Sequence, residues 1–155
     1  MLLFKPIELT PTYTRVKNDL ISVTIRTKGA TRSQNSADIN LSSIIQQGIE
    51  IPLYFQVGYI GDTLAIQIST RHAENCCKIG TSRHKQKTAS YFVSSRPACI
   101  AIFKHFNEPA PENENEVKTL IVKASSVPNV EGLFTLSFVK KISPASGRVR
   151  IGSQS

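Results

Sequence analysis

The chain reads as an α+β protein: a mostly antiparallel β-barrel or sheet of about eight strands with two short helices, built as a pseudo-repeat of two halves. Three observations predict this. Short runs of alternating apolar and polar residues, bounded by Gly, Pro and Asn, recur along the chain. Two stretches, one in each half, change to helical spacing. Finally, the order strand, basic turn, helix, hairpin over residues 21–68 returns as basic stretch, strand, helix, strand, strand over 76–138, although residue identities hardly repeat. The division is a first half-repeat with its lead-in (1–70), a second half-repeat (71–142) and a mobile basic tail (143–155).

In the first half, Pro6 and Pro11 among Ile7, Leu9 and Tyr13 suit an extended lead-in or edge strand. After a turn at Lys17-Asn18-Asp19, the side chains of Ile21, Val23 and Ile25 take one face of a strand and those of Ser22, Thr24 and Arg26 the other. Gly29 marks the turn that follows. From a cap at Asn35 or Ser36, Ala37, Leu41, Ile44 and Ile45 recur at helical spacing until Gln46-Gln47-Gly48 ends the helix. Pro52 bars more helix, and residues 53–57 and 64–68 flank a 58–62 loop as a β-hairpin.

In the second half, residues 70–75 connect, Cys77 and Ile79 suit a short strand, and 80–87 form a polar loop. Residues 89–93 make a strand. Ser94-Ser95-Arg96-Pro97 opens a helix with a capping serine and an early proline, and Cys99, Ile102, Phe103 and Phe106 lay one apolar stripe along it. An exposed acidic loop, 108–116, precedes the last two strands at 117–122 and 133–139, which are joined by a turn holding Pro128-Asn129 and Gly132.

The charge is the functional clue. Nineteen Lys and Arg against 11 Asp and Glu leave a net charge of +8, and four of the acids (Glu108, Glu112, Glu114, Glu116) crowd into one loop. Basic residues lead each half: Arg26, Lys28 and Arg32 around the first turn, and Arg83, Lys85, Lys87 and Arg96 around the second. Guanidinium and ammonium groups on hairpins reach phosphates, and arginine also reads guanine edges. These seven residues are the candidate nucleic-acid contacts, expected to converge on one surface. Tyr54, Phe55, Tyr59, Tyr91 and Phe92 are candidate stacking rings, although alternation sends one of each neighbouring pair inside; Tyr59, at a turn, is the one that stands out.

Other chemistries find little support. The glycines form no phosphate-cradling signature. Cys76, Cys77, Cys99, His72 and His105 lack metal-ligand spacing, and the carboxylates cluster only in a loop, so neither a metal nor a catalytic dyad is expected. No cofactor is implied. Three cysteines, two of them adjacent, make a poor disulfide framework and suit a reducing, cytoplasmic setting. The opening Met-Leu-Leu-Phe-Lys-Pro is too short for a signal peptide, and no apolar run is long enough for a membrane span.

Residues 23–68 resemble the AbrB-type swapped-hairpin superfamily of DNA-binding regulators. The resemblance lies in a strand, Gly29 with basic neighbours, a second strand, a short helix ending in Gln47-Gly48-Ile49, a strand at 53–57, a turn near Gly61-Asp62 and a strand at 64–68. Tandem members of the MraZ type carry two such halves in one chain. Thr31-Arg32-Ser33-Gln34-Asn35 stands in place of that family's Gly-Arg-hydrophobic-x-Ile-Pro run. The resemblance implies a small interlocked barrel with short helices and DNA contact through Arg26 and Arg32.

Together these observations lead to a non-enzymatic nucleic-acid-binding protein, a DNA-binding regulator of transcription with RNA as the other polyanion, acting as a homo-oligomer. The alternative is a protein-interaction module, an inhibitor or adaptor, that docks its basic face on an acidic partner.

Overall fold

The computed structural model describes residues 19–30, 33–45, 52–83 and 89–143. Its strands are β1 (Leu20–Arg26), β2 (Ser36–Asn40), β3 (Tyr54–Ile60), β4 (Thr63–Ser69), β5 (Cys77–Lys78), β6 (Gly80–Arg83), β7 (Ala89–Val93), β8 (Val117–Ser126) and β9 (Leu133–Ile142). Among the described residues there is one helix, α1 (Arg96–His105). The expected lead-in at 1–14, the helix stop at 46–48 and the tail from 144 onward lie outside the described residues.

All pairings are antiparallel, and the sheet runs β5-β3-β4-β9-β8-β1-β2-β7-β6. Its two terminal strands are successive pieces of one segment, residues 77–83, broken only at Ile79. The first piece pairs with β3 and the second with β7, and Ile79 N still donates to Leu53 O at 2.8 Å. The nine strands therefore wrap into a nearly closed barrel-like sheet, in which the stretch expected to be a short strand and a polar loop is the closing stave. The gap lies between β4 and β9, which pair only from Ala65 to Gln67. Beyond that, β9 from Leu136 to Ile142 is bonded to β8 alone among the described residues.

Alternation explains the core. Ile21, Val23 and Ile25 face inward opposite Val122, Leu120 and, on the other flank, Ile39 and Ala37. Phe55, Leu64, Ile66, Val93 and Leu136 complete the interior, each 4% exposed or less. On the outer face the Thr24 and Thr119 hydroxyls are hydrogen-bonded at 2.9 Å.

The first expected helix does not form over its opening residues. Ser36–Asn40 make β2 instead, with Ala37 and Ile39 buried and Ser36 and Asn40 exposed. Ala37, Ile39 and Leu41 also satisfy a two-residue period, and pairing with β1 on one side and β7 on the other decides in favour of the strand. A turn then follows, closed by Ile44 N donating to Leu41 O at 3.0 Å.

The second helix forms as its signals require. Ser95 is the N-cap, its Oγ accepting from Ala98 N at 3.2 Å, and Pro97 sits in the first turn. Asn107, at φ 58°, takes the left-handed position that ends it. α1 crosses one mouth of the barrel. Ala98, Cys99, Ile102 and Phe103 join the core, while at the far end His105 meets Tyr59 (5.5 Å between rings) and Phe106 meets Phe138 (5.8 Å).

Candidate nucleic-acid interface

Strand direction decides where the basic residues go. Because β2 and β7 pair antiparallel, through Ile39 with Val93 and Asn40 with Phe92, the β1–β2 and β6–β7 connections leave from opposite ends of the barrel. The described members of the set therefore do not share one end. Arg26, Lys28 and Arg96 lie at the end covered by α1, whereas Arg83 closes β6 at the other end, where its backbone pairs with Ala89. Arg32, Lys85 and Lys87 lie outside the described residues.

At the α1 end part of the positive charge is answered. Arg26 Nη1 donates to Asp38 Oδ2 at 2.7 Å, a diagonal pair about a third exposed on both sides. So accessible a pair contributes on the order of 0.2–1 kcal/mol to stability. Lys28 is exposed, but its backbone is held: Lys28 N donates to Asn35 Oδ1 at 2.8 Å and Asn115 N donates to Lys28 O at 2.7 Å. The acidic loop thus packs against the first basic turn instead of projecting freely. Glu108 in that loop accepts from Lys118 Nζ at 3.0 Å and stands 3.5 Å from Lys141 Nζ. The bond from Lys118, with the charges of both lysines, holds the Glu108 carboxyl below the usual carboxylate range, against an opposing effect of burial.

Arg96, the first residue of α1, has a buried Nη1 with no hydrogen-bond partner among the described residues. Burial pushes the nearby Cys99 thiol up to about 12; Asp38 adds to the rise, and Arg96 and Arg26 oppose it. One arginine from each half therefore stands within electrostatic reach of the same buried residue. Cys76 and Cys77 are half-buried, and all three cysteines are free. No group of three or more His, Cys, Asp or Glu among the described residues is placed to hold a metal ion. No helix among them is long and apolar enough to cross a membrane.

The rings sort by alternation. Phe55 and Tyr91 are core, and Tyr59 is 61% exposed on the β3–β4 hairpin. Tyr54 and Phe92 are half-buried on the outer face of β3 and β7, the two strands that flank the β5–β6 stave. Phe92 lies opposite Asn40 and Gly80, and Lys78, two residues before Gly80 on the same stave, lies opposite Tyr54. A Cβ at Gly80 would stand 3.0 Å from Cε2 and Cζ of Phe92, so the ring lies close over the glycine and a larger residue there would have to push it aside. His72 meets Tyr54 edge to face at 5.3 Å. Sequence reasoning names both rings as stacking candidates but not that Tyr54 and Phe92 flank one stave. The signal for their outward placement is the period-two alternation in Tyr54-Phe55 and Tyr91-Phe92, which sends one ring of each pair outward.

Comparison with protein-family models, characterised proteins and solved structures returns no match to this chain.

Proposed function

We propose that the protein binds nucleic acid, neutralising phosphates through the basic segment that joins β6 to β7, with Arg83, Lys85 and Lys87 as the contacts. The observation that carries this reading is the distribution of charge. The first basic turn spends Arg26 on Asp38 and packs against the acidic loop, whereas the second leaves from the end of the barrel away from that loop. Arg83, Lys85 and Lys87 follow one another in the second segment with no acidic residue between them. The finer form, a DNA-binding regulator of transcription, comes from the swapped-hairpin resemblance. It is supported by two successive pairs of hairpins in chain order, β1–β2 with β3–β4 and β6–β7 with β8–β9.

The test is affinity for labelled DNA, single-stranded and duplex, across about 50 to 200 mM salt. Replacing Arg83, Lys85 and Lys87 together by Gln lowers the log–log salt slope by about 3, because each phosphate contact contributes roughly one. Arg26→Gln with Lys28→Gln leaves it nearly unchanged. A slope unaltered by the triple replacement, or no binding of either DNA at about 50 mM salt, removes the reading.

A second reading, docking of an acidic protein, has support of its own in β9. From Leu136 to Ile142 that strand has no paired strand on one side among the described residues, and exposed Phe138 and Val139 adjoin exposed Lys140 and Lys141. An extended acidic segment added there meets charge, on the side where no strand among the described residues pairs with β9. A partner retained after nuclease treatment favours this reading; one lost on treatment favours nucleic acid.

A further inference from the structure

The wall carried by β7, the β5–β6 stave and β3 has a composition that neither the core nor the barrel closure demands. Phe92 and Tyr54 place two half-buried aromatic rings on the outer face of the sheet, where exposed Asn40 lies opposite Phe92 and exposed Ser82 is two residues along the stave from Gly80. Between them stands exposed Lys78. Gly80 keeps the surface low under the Phe92 ring. Rings interleaved with a cation on an open sheet face are the pattern that receives unpaired bases and their phosphates.

We infer that this wall binds a single-stranded nucleic acid, with one base stacked on Phe92, another on Tyr54 and a phosphate held by Lys78. The inference rests on the nucleic-acid part of the reading above and names the form of the ligand. Geometry selects the single strand. Phe92 and Tyr54 are separated by two inter-strand spacings of roughly 4.8 Å and a two-residue offset of roughly 6.8 Å, or about 12 Å. That is more than three times the roughly 3.4 Å rise between stacked bases. A duplex, whose base faces are covered by their neighbours, cannot offer one base to each ring. A strand with its bases splayed can.

The test uses the full chain with a fluorescein-labelled oligothymidylate and a labelled duplex at one salt concentration. The single strand is expected to bind at least about tenfold more tightly, a difference of roughly 1.4 kcal/mol. Phe92→Leu and Tyr54→Leu each weaken it by about 5- to 150-fold while duplex binding stays as it was, and Tyr54→Phe restores the affinity. The chain has no tryptophan, so Phe92→Trp introduces a single reporter whose emission is quenched when a base stacks on it. That measurement stands even if a leucine variant folds poorly. Duplex bound as tightly as the single strand, leucine variants with wild-type affinity, or unquenched emission at saturating oligonucleotide would each overturn the inference. Duplex binding without single-strand binding defeats this inference alone. Failure of both DNAs to bind defeats the nucleic-acid reading as a whole.

Discussion

Thr27 and Glu116 clasp two loops that are far apart in sequence: Glu116 N donates to Thr27 Oγ1 at 2.8 Å, and Thr27 N donates to Glu116 O at 2.9 Å. The same hydroxyl donates to Asn113 O at 2.6 Å, and Thr27 is 5% exposed. Thr27→Val keeps the shape and removes both hydroxyl bonds, leaving Glu116 N and Asn113 O without that partner. The expected loss is about 1–3 kcal/mol, read from the urea midpoint at unchanged slope.

Gly132 joins the β8–β9 turn to β4. Its φ is 79°, its carbonyl accepts from Ile68 N at 2.8 Å, and an added Cβ would fall 2.2 Å from Ile68 O. Gly132→Ala therefore meets both an unfavourable backbone conformation and a backbone clash, and is expected to cost more than about 2 kcal/mol. Gly58 lies in β3, where an added Cβ would meet nothing within 4 Å. Gly58→Ala is expected to be neutral or to stabilise by up to about 1 kcal/mol. Thermal melts of the two variants side by side check the contrast.

Glu108 sets an acid-side dependence. Its folded-state pKa lies below its ordinary 4.5, because Lys118 bonds the carboxylate and Lys141 adds its charge. The stability this provides is present above the unfolded value and is lost as pH falls through the folded one. Glu108→Gln is expected to flatten the acid limb of a stability–pH curve below about 4.5 relative to the unmodified chain.

The cysteines divide by access. Cys76 and Cys77 are half-buried, while Cys99 is fully buried with its thiol raised from 9.0 to about 12 by desolvation. A thiol reagent at neutral pH should modify two residues promptly and Cys99 only as fast as the protein opens. Because the folded value is the higher one, the stability Cys99 provides is complete below 9.0 and is lost as pH rises through about 12. Unfolding followed into that range, compared with Cys99→Ala, isolates the contribution.

The elements legible in the sequence are those whose signals are local. The alternation of Ile21, Val23 and Ile25, the Ser95 cap with Pro97, and the hairpin around Gly61-Asp62 all stand in the structure, the last with longer strands that meet at Ile60 and Thr63. What stays hidden depends on a partner. Ala37, Leu41, Ile44 and Ile45 fit a helix until β1 and β7 claim Ser36–Asn40 as a strand. Gly80 has the look of a loop residue, and its place in a stave makes sense only with Phe92 above it. The basic residues of the candidate site are visible by type, but their separation into two ends follows from the antiparallel joint of β2 and β7, which no single segment encodes.

The hydrogen bond between Thr24 and Thr119 spans 95 residues of chain. While the protein is being synthesised, β1 must wait for β8, its apolar flank unsheltered, until the C-terminal hairpin has emerged from the ribosome. Such distant pairing makes refolding slow, on the order of milliseconds to seconds, and makes the nascent N-terminal half the moment of greatest vulnerability to aggregation.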